Sequence, residues 1–418
     1  MKRVLIMAIG SELLTPYFQD SDSLYMTQRL NDLGLKVTTK TISSDDHDAL
    51  YLQFKIALAQ AELIFASGGL GPTEDDRTRE VAAEALERKL VLDEDLLLKI
   101  HERFARRGIA MPASNKKQAL VPEGAEILPN EHGTAAGLWL NTGKNIVVLL
   151  PGPPHELKPM FDSQVWPRLE QFRAGYCGRR VLKITGLTES KLEDLIKDLY
   201  PRAANLQVTT LASPGQIEIH LASFAAQSAE LAEEGLKPVE EALLERLKDR
   251  VFSTNGEELE AVVGNLLRAR GETVAVAESC TGGLISHRLT NVPGSSEYFQ
   301  EGTIAYSNES KRDDLQVPID HIRKFGAVSS QVVRAMAMGA RSKARSTYAL
   351  AVTGIAGPEG GTEQKPVGLV FTALATEKSV EVVKSQYLGN REHIKFQASQ
   401  YALDMLRRTL LASETKKS

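Results

Sequence analysis

The chain has 418 residues, of which 42% are apolar and 25% are charged, and its formal net charge is −4. This length exceeds one ordinary hydrophobic core and predicts two or three domains. The balanced charge argues against a basic surface for direct nucleic-acid binding, so small molecules or other proteins are the expected partners.

Cysteine content and hydropathy indicate the cellular setting. Only Cys177 and Cys280 are present, which excludes a disulfide framework and a zinc site built from clustered thiols. The opening MKRVLIMAIG lacks a small-residue cleavage site and is interpreted as a first strand, not a signal peptide. No apolar run approaches the ~18–20 residues that span a bilayer. We therefore expect a cytoplasmic protein that makes no membrane contact.

The first 173 residues alternate apolar runs with amphipathic stretches. The strand-like runs are VLIMAI, LKVTTKTI, LIFAS and NIVVLL. Helices are expected at residues 25–33, near residues 50–60, from Thr73 and from about His155. This alternation predicts an α/β domain over residues 1–173, with a parallel sheet covered by helices.

Two further domains are expected after residue 173. Residues 174–252 contain a hairpin pattern that turns at Ser213-Pro214-Gly215 and an Ala/Leu/Glu-rich helix ending near Asp249, typical of a small α+β connector. Residues 253–418 again alternate, with strand-like runs TVAVA, GTIAYSN, YALAVTG and LVFTALAT. The predicted fold is therefore α/β, with two helix-covered sheet domains joined by a small α+β module.

A glycine-rich turn, SGGLGPTEDDRT, follows the strand LIFAS. A turn between a strand and a helix directs backbone N–H groups towards an anion. Its candidate ligand-binding residues are Gly68, Gly69, Gly71 and Thr73. Asp75 and Asp76 in this turn, with Glu12 after the first strand, would repel a phosphate unless a cation lay between them. One hypothesis is thus a metal-bridged phosphate or pyrophosphate. The other is a capping box formed by Thr73 and Asp76, with Glu12 as a solvent-facing cap.

The stretch AESCTGG places Ser279 between a predicted strand and a predicted helix. Such a turn can display a nucleophilic hydroxyl beside N–H groups that bind an oxyanion or a phosphate. The binding candidates in this turn are Thr281, Gly282 and Gly283. Alternatively, Ser279 is only a helix N-cap. Cys280 is the rival nucleophile and ranks lower, because no neighbouring His is evident to hold it as a thiolate.

A serine nucleophile needs a base, and the chain has neither a G-x-S-x-G elbow nor a convincing His–Asp pair. Tyr306 and Lys311 follow the next strand, and the ends of parallel strands converge on one edge of a sheet. A lysine whose charge is disfavoured could accept the serine proton, with the tyrosine as a relay. Alternatively, Tyr306 is a half-buried strand aromatic and Lys311 a solvated helix start.

A third strand end, TGIAGP, carries Thr353 and Gly354, which could bind a phosphate or a ribose. The segment GPEGGTEQKPVG after it is typical of a mobile lid.

These motifs resemble the CinA (competence/damage-inducible protein A) family over nearly the whole chain. GSELL, SGGLGPTEDDRT, ASNKKQALVPEGAEILPN, GTAAGLWL and LLPGPPHELKPMF are similar to its N-terminal molybdopterin-binding-like domain. AESCTGG, GTIAYSNESK, GAVSSQVV and AVTGIAGPEGGTEQKPVG are similar to its C-terminal domain and to stand-alone amidohydrolases that deamidate nicotinamide mononucleotide. The resemblance also suggests a homodimer.

For the N-terminal domain, the resemblance implies hydrolysis of ADP-ribose to AMP and ribose 5-phosphate with a divalent metal such as Mg, Co or Mn. Related domains bind molybdopterin. Where the family usually has a D-T-N run, this chain has Asp20-Ser21-Asp22. An acid at the last position could add a metal ligand or repel the substrate.

For the C-terminal domain, the resemblance implies that Ser279 attacks the carboxamide of nicotinamide mononucleotide, releasing ammonia and nicotinic acid mononucleotide. Tyr306 and Lys311 would assist proton transfer, and no metal would be required. Thr353, Gly354 and Arg391 would hold the substrate. Two alternatives remain open, namely a molybdopterin-binding protein and an adaptor linked to competence or DNA damage that turns over neither nucleotide.

Overall fold

A computed structural model of the chain describes residues 2–200 and 205–414. The chain separates into two compact units by its internal contacts. One contains Met1–Gly178 with Ser223–Gly235, and the other contains Arg179–Ala222 with Leu236–Ser418. The expected connector, residues 174–252, is thus divided between the units, and the three predicted domain boundaries stay a prediction.

Eight strands lie in the N-terminal part of the first unit. They are β1 Val4–Ile9, β2 Val37–Ser43, β3 Leu63–Ser67, β4 Leu90–Leu92, β5 Leu120–Pro122, β6 Glu126–Leu128, β7 Gly137–Asn141 and β8 Ile146–Leu150. Six form one sheet in the order β2-β1-β3-β8-β7-β6, and β4 pairs with β5. The predicted parallel sheet is confirmed for β2, β1, β3 and β8. The strands β7 and β6 extend it in antiparallel orientation, which the helix–strand alternation did not predict.

Helices cover both faces of this sheet. They are α1 Asp22–Asp32, α2 His47–Gln60, α3 Thr78–Ala85, α4 Glu94–Arg106, α5 Pro154–Met160 and α6 Trp166–Leu169. Along β1, Leu5 and Met7 belong to one apolar cluster, whereas Val4 and Ile6 belong to another. Burial on both faces explains why the central strands are continuous apolar runs instead of alternating ones.

The helix predicted from Thr73 begins five residues later, at Thr78. The Thr73 N–H and hydroxyl both donate to Asp76 Oδ2, at 2.8 Å and 2.5 Å. These bonds close a local turn before the helix starts, so they are not the capping box of a helix that begins at Thr73.

The connector forms a four-stranded sheet. Its strands are β9 Tyr176–Thr185, β10 Leu206–Ser213, β11 Gln216–Ala225 and β12 Val251–Ser253, in the order β10-β11-β9-β12. The predicted hairpin is confirmed because β10 and β11 are neighbours. The single helix predicted after it is instead α8 Ala229–Glu234 and α9 Lys237–Leu247, and α7 Glu189–Ile196 precedes the hairpin. The break lies at Gly235, where a Cβ would approach Ser223 Oγ to 2.4 Å.

The C-terminal sheet has five strands, namely β13 Val274–Glu278, β14 Phe299–Ile304, β15 Tyr348–Gly354, β16 Leu369–Ala375 and β17 Val380–Gln386. Their order is β14-β13-β15-β16-β17. The first three run parallel, and β16 and β17 are antiparallel additions. The carboxyl ends of β14, β13 and β15 therefore share one edge, the usual position of ligand sites in open α/β sheets.

Six helices surround this sheet, namely α10 Leu259–Arg270, α11 Leu284–Thr290, α12 Asn308–Leu315, α13 Ile319–Phe325, α14 Ser330–Ala344 and α15 Arg391–Glu414. Val274 and Val276 of β13 pack into one cluster, and Ala275 and Ala277 pack into the opposite one. Within the residues that the structure describes, no helix combines the length and apolar composition needed to cross a bilayer.

Candidate active site

Ser279 follows β13 directly and is 8% exposed. Its backbone N–H donates to the Val352 carbonyl of β15 at 3.0 Å, and its own carbonyl accepts from the Gly282 N–H at 3.1 Å. The N-cap residue of α11 is Gly283, which makes no side-chain cap. The hypothesis that Ser279 serves only as a helix N-cap is therefore wrong, and its hydroxyl is available for another partner.

That partner is Lys311, in the first turn of α12. Its Nζ lies 3.0 Å from Ser279 Oγ. The same nitrogen donates to the carbonyls of Ala305 at 2.8 Å and Tyr306 at 3.1 Å. Lys311 is 1% exposed, so the alternative of a solvated helix start is wrong. The fold thus joins the ends of two neighbouring strands, as the sequence predicted.

Burial lowers the pKa of Lys311, opposed only by nearby Cys280. No carboxylate forms an ion pair with Lys311 among the described residues. Moving a lysine out of water without a counter-charge favours the neutral amine. A neutral amine has two N–H groups for the Ala305 and Tyr306 carbonyls, with the Ser307 carbonyl farther away at 3.5 Å, and its lone pair is left for the Ser279 hydroxyl proton. The pair is arranged as a nucleophile and its base.

The glycines after Ser279 do not form an open phosphate cradle. Glu278, the fully buried last residue of β13, directs its carboxylate into the turn. It accepts from the N–H groups of Gly283 at 3.0 Å, Ile285 at 3.1 Å and Ser286 at 2.9 Å, and from the Ser286 hydroxyl at 2.8 Å. The protein's own carboxylate therefore occupies the anion position at the start of α11, and the Gly282 and Gly283 N–H groups both have internal acceptors.

Two other N–H groups of the turn, those of Cys280 and Thr281, have no protein acceptor in the part of the chain that the structure describes. The Thr281 hydroxyl is fully buried and also has no partner. Burial raises the pKa of the Cys280 thiol to about 12. This thiol is therefore protonated at neutral pH, in agreement with its lower rank as a nucleophile.

Tyr306 lies in the loop after β14 and is 61% exposed, so the interpretation as a half-buried strand aromatic is wrong. Its hydroxyl bonds to Arg391 Nη2 at 3.1 Å, and Arg391 Nη1 donates to the Gly357 carbonyl at 2.8 Å. Only the carbonyl of Tyr306 contacts Lys311. Tyr306 and Arg391 thus form a polar rim, and the phenol makes no contact with the Ser279–Lys311 pair.

Thr353 and Gly354 end β15 at the same edge. Thr353 is buried, and its hydroxyl donates to the Ala327 carbonyl at 3.0 Å. At Gly354, a Cβ would approach the Leu369 carbonyl oxygen to 2.8 Å, so close strand packing requires glycine. The segment predicted as a lid is tied down by Lys365, whose Nζ donates to the Phe325 and Val328 carbonyls at 2.7 Å and 2.8 Å.

Arg288 holds α11 in position. It is buried, pairs with Glu260 of α10 at 2.7 Å, and donates to Ser399 and Gln400 of α15 at 2.8 Å and 2.7 Å. The helix that follows the Ser279 turn is thereby fixed to two neighbouring helices.

The N-terminal unit contains a cavity of about 1110 Å³ at the carboxyl edge of its sheet. Among its lining residues Arg77 is the one basic residue, whereas eight are acidic: Glu12, Asp20, Asp22, Asp45, Asp46, Asp75, Asp76 and Glu156. The predicted glycine turn also lines it. This cavity is therefore strongly negative.

Hydrogen bonds to β8 and from α3 hold the glycine turn in place. The Gly68 N–H donates to the Leu150 carbonyl at 3.0 Å, and the buried Arg79 donates to the carbonyls of Leu70 at 2.7 Å and Gly71 at 3.2 Å. Gly68 has φ +105°, and a Cβ there would lie 2.0 Å from the Ile9 carbonyl oxygen. Glycine is thus required by the approach of this turn to β1.

The three acids predicted as metal ligands are not gathered into a ready site. Glu12 and Asp75 are exposed, and one oxygen of Asp76 already accepts both bonds from Thr73. Over residues 2–200 and 205–414, no group of three or more His, Cys, Asp or Glu side chains is placed to hold a metal ion.

Asp22, which the sequence analysis named as an acid that could add a metal ligand or repel the substrate, lines this cavity. It is 7% exposed, and its Oδ1 has no hydrogen-bond partner among the residues that the structure describes. Burial and the neighbouring Asp20 raise its pKa to about 6, with Lys158 opposing them. Asp20 itself accepts from the Ser23 N–H at 2.9 Å. An unpartnered carboxylate oxygen fits a hard divalent cation.

Family models match three segments of the chain. Residues 256–410 match the CinA C-terminal domain, residues 5–171 a probable molybdopterin binding domain, and residues 179–253 the damage-inducible protein CinA KH domain. The sequence analysis had assigned no family to the connector. KH domains clamp nucleic-acid backbones with a GXXG loop, but the only glycines in residues 179–253 are Gly186, Gly215 and Gly235.

Relatives align over almost the full length. A CinA-like protein from Solibacter usitatus is 46% identical over 409 residues, covering 97% of each chain. A putative competence-damage inducible protein from Caldicellulosiruptor bescii is 43% identical over 406 residues, covering 97% of this chain and 98% of the relative. The solved competence/damage inducible protein CihA from Agrobacterium tumefaciens is 39% identical, covers 37% of this chain and 96% of its own, and superposes with a TM-score of 0.35.

Proposed function

This chain belongs to the CinA family, and from that premise we propose that it hydrolyses the carboxamide of nicotinamide mononucleotide, with Ser279 as the nucleophile and Lys311 as its base. The observation that carries the proposal is the 3.0 Å contact between Lys311 Nζ and Ser279 Oγ, made by a lysine that is buried without a counter-charge. Such a lysine is neutral more readily than an exposed one and can remove a hydroxyl proton.

In the first half of the reaction, Ser279 Oγ bonds to the carboxamide carbon while its proton moves to Lys311 Nζ. The carbonyl electron pair shifts to the amide oxygen, and the free N–H groups of Cys280 and Thr281 supply stabilisation of the oxyanion. The carbonyl then re-forms and the carbon–nitrogen bond breaks. Ammonia leaves with the proton that Lys311 returns.

In the second half, water attacks the acyl carbon and gives a proton to Lys311 Nζ. The ester bond breaks, Ser279 Oγ regains its proton, and nicotinic acid mononucleotide leaves. Tyr306 enters this scheme as a positioning group, because its carbonyl rather than its hydroxyl contacts Lys311. Arg391, Thr353 and Gly354 are proposed to shape the substrate site at the same edge, and no step uses a metal or another cofactor.

The test is to incubate the purified protein with nicotinamide mononucleotide, without added metal, and to follow ammonia and nicotinic acid mononucleotide. Ser279→Ala should release neither product while remaining folded. Ser379→Ala is the matched control, because Ser379 is an exposed serine in the turn between β16 and β17. An inert wild-type protein, or a Ser279→Ala variant as active as wild type, would refute the proposal and favour an adaptor without turnover.

A second activity is proposed for the N-terminal cavity, namely metal-dependent cleavage of the pyrophosphate of ADP-ribose to AMP and ribose 5-phosphate. The unpartnered Asp22 Oδ1 supports it, because Mg²⁺ is often held by one or two carboxylates together with substrate phosphates. Asp22 would hold the cation, which would neutralise pyrophosphate charge facing the acidic wall. Glu12, Asp75 and Asp76 remain proposed ligands at the cavity rim.

The test for this second activity is AMP release from ADP-ribose with Mg²⁺, Mn²⁺ or Co²⁺, compared between wild type and Asp22→Asn, which restores the amide usual in the family. Ser279→Ala should retain this activity in full, since it alters only the other unit. Thermal stabilisation by molybdopterin, with no effect of ADP-ribose, would favour the pterin-binding alternative.

A further inference from the structure

Lys395, on α15, reaches over the Ser279 turn. A Cβ built on Gly282 would lie 3.7 Å from Lys395 Nζ, and apart from its two chain neighbours no other described residue would come within 4 Å. Gly282 is three residues after Ser279 and has φ +62°. The ammonium group therefore lies beside the segment that displays the nucleophile, and no sequence motif indicated this position.

Lys395 is half-buried, and no hydrogen bond or ion pair involves it among the described residues. The other cations near this edge are engaged by protein groups. Lys311 is held by carbonyls, Arg391 by the Gly357 carbonyl and the Tyr306 hydroxyl, and Lys365 by two carbonyls. A half-buried cation without a counter-charge is available for an anionic ligand.

Glu278, the acid that precedes the Ser279 turn, does not neutralise Lys395. The Glu278 carboxylate is buried within the turn, where it is satisfied by four donors. Arg391 lies four residues before Lys395 on the same helix, a spacing that places both side chains on one face. The helix α15 thus carries two cations at this edge, Lys395 beside the turn that carries the nucleophile and Arg391 at the Gly357 carbonyl and the Tyr306 hydroxyl.

We propose that Lys395 binds the 5′-phosphate of the substrate and makes the site selective for a nucleoside monophosphate over the corresponding nucleoside. This inference rests on the proposed function, because it takes the amide carbon of nicotinamide mononucleotide to lie at Ser279. A phosphomonoester carries about −1.5 to −2 charges at neutral pH, and charge-assisted bonds to a lysine are among the stronger polar contacts.

Loss of Lys395 should impair binding and leave the chemical step intact, since Lys395 makes no hydrogen bond to Ser279 or Lys311. We expect Lys395→Ala to raise KM for nicotinamide mononucleotide about ten- to a hundredfold, with kcat changed less than about twofold. The KM for nicotinamide riboside, which lacks the phosphate, should not change. Lys395→Arg should retain most of the affinity for the nucleotide.

Lys378→Ala is the matched control for charge removal. Lys378 is exposed in the turn after β16, and β16 pairs antiparallel with β15, so that turn lies at the opposite edge of the sheet from Gly354. This variant should match wild type with both substrates. An unchanged KM for the nucleotide in Lys395→Ala, or equal losses with nucleotide and nucleoside, would overturn the proposal.

Binding measurements distinguish a failure of this proposal from a failure of the proposed function. Calorimetry on Ser279→Ala should detect nicotinamide mononucleotide with at least about tenfold higher affinity than nicotinamide riboside, and Ser279→Ala/Lys395→Ala should lose this preference. If wild type shows no amidase activity but this preference exists and depends on Lys395, the phosphate site stands and the hydrolytic function fails. Equal affinities for the nucleotide and the nucleoside in Ser279→Ala would overturn the phosphate site, whatever the activity.

Discussion

Two strands of this protein end in similar glycine-rich turns, but the surroundings of the two turns are opposite in character. In the N-terminal unit, the turn after β3 opens on a cavity of about 1110 Å³ lined by eight acids. In the C-terminal unit, the turn after β13 is closed around the Glu278 carboxylate and presents Ser279 to Lys311. The two turns therefore differ in the charged side chains that surround them.

Each site contains a buried ionisable group that the proposed chemistry uses, Lys311 in the C-terminal unit and Asp22 in the N-terminal unit, and burial disfavours the charged form of both. For Lys311 this lowers the pKa and creates a base for a hydroxyl at 3.0 Å. For Asp22 it raises the pKa to about 6 and leaves a carboxylate oxygen without a partner. In the first arrangement the protein supplies the partner, whereas the described residues supply none for Asp22 Oδ1. The comparison teaches that burial disfavours the charged form of a lysine in one unit and of an aspartate in the other, for which we propose the roles of a base and of a cation ligand.

The largest expected effect is that of Lys311→Met, which removes the base but keeps an unbranched side chain. We expect kcat for nicotinamide mononucleotide to fall by about 10³-fold or more, within the range of lost general-base catalysis. The fold should persist, because replacing a buried charge with an apolar group is often neutral or stabilising. Ammonia release and urea unfolding would be measured together, with Lys378→Met as the control. Retention of activity by a folded Lys311→Met variant would contradict the role of base.

Glu278→Gln should mainly affect stability. The amide replaces one carboxylate oxygen with an NH₂ group that faces N–H donors, so at least one buried bond is lost and a repulsive contact is added. We expect the free energy of unfolding to fall by about 2–4 kcal/mol, as measured by urea denaturation. Glu260→Gln provides the comparison, because it alters a different buried polar contact, the one between Glu260 and Arg288. A stability equal to wild type would show that the carboxylate is not required to close the turn.

The pH dependence should distinguish the base. Neutral Lys311 is the active form, so kcat/KM for nicotinamide mononucleotide should rise about tenfold per pH unit on the acidic side and level off above the lowered pKa of Lys311. Initial rates across the acidic and neutral range would be measured, with circular dichroism to verify folding at each pH. A rate that does not change over this range would mean that Lys311 is not the titrating base.

Asp22→Asn should affect the N-terminal unit alone. Because the pKa of Asp22 is raised on folding, its ionisation destabilises the fold as pH rises from about 4 to about 6. The variant should therefore match wild type at pH 4 and exceed its free energy of unfolding by about 1 kcal/mol at pH 7. This difference in the free energy of unfolding is smaller than the full rise in the pKa of Asp22 implies, because water reaches the cavity wall. Mg²⁺ should raise the melting temperature of wild type more than that of the variant, and amidase activity should be unchanged in both.

The smallest expected effect is that of Cys280→Ala. Burial raises the pKa of the thiol to about 12, so it is protonated and shielded at neutral pH. We expect amidase activity within about twofold of wild type and resistance of the wild-type enzyme to iodoacetamide. Inactivation that is fast and absent in Cys280→Ala would instead assign the nucleophile to the cysteine.

Much of the fold could be predicted from local patterns. The runs VLIMAI, LIFAS and TVAVA are strands because continuous apolar residues suit a sheet covered on both faces, and the hairpin at Pro214-Gly215 follows from turn chemistry. The antiparallel orientation of β6, β7, β16 and β17 was not predicted, since strand direction depends on pairing partners. The sequence analysis placed the start of α3 at Thr73, five residues too early, because Asp76 accepts bonds from Thr73 in a local turn instead of capping a helix.

The sequence by itself determined that Ser279 and Lys311 follow strands and that Thr353 lies at the end of another, because strand ends are marked by apolar runs that stop at polar and glycine residues. Only the tertiary structure decided that Lys311 is buried against backbone carbonyls and that Glu278 fills the anion position. It also decided that, among the described residues, Asp22 Oδ1 and Lys395 have no hydrogen-bond partner. The physical reason is that strands and turns arise from local preferences, whereas the charge state and availability of a side chain depend on the solvent and partners that the whole fold leaves around it.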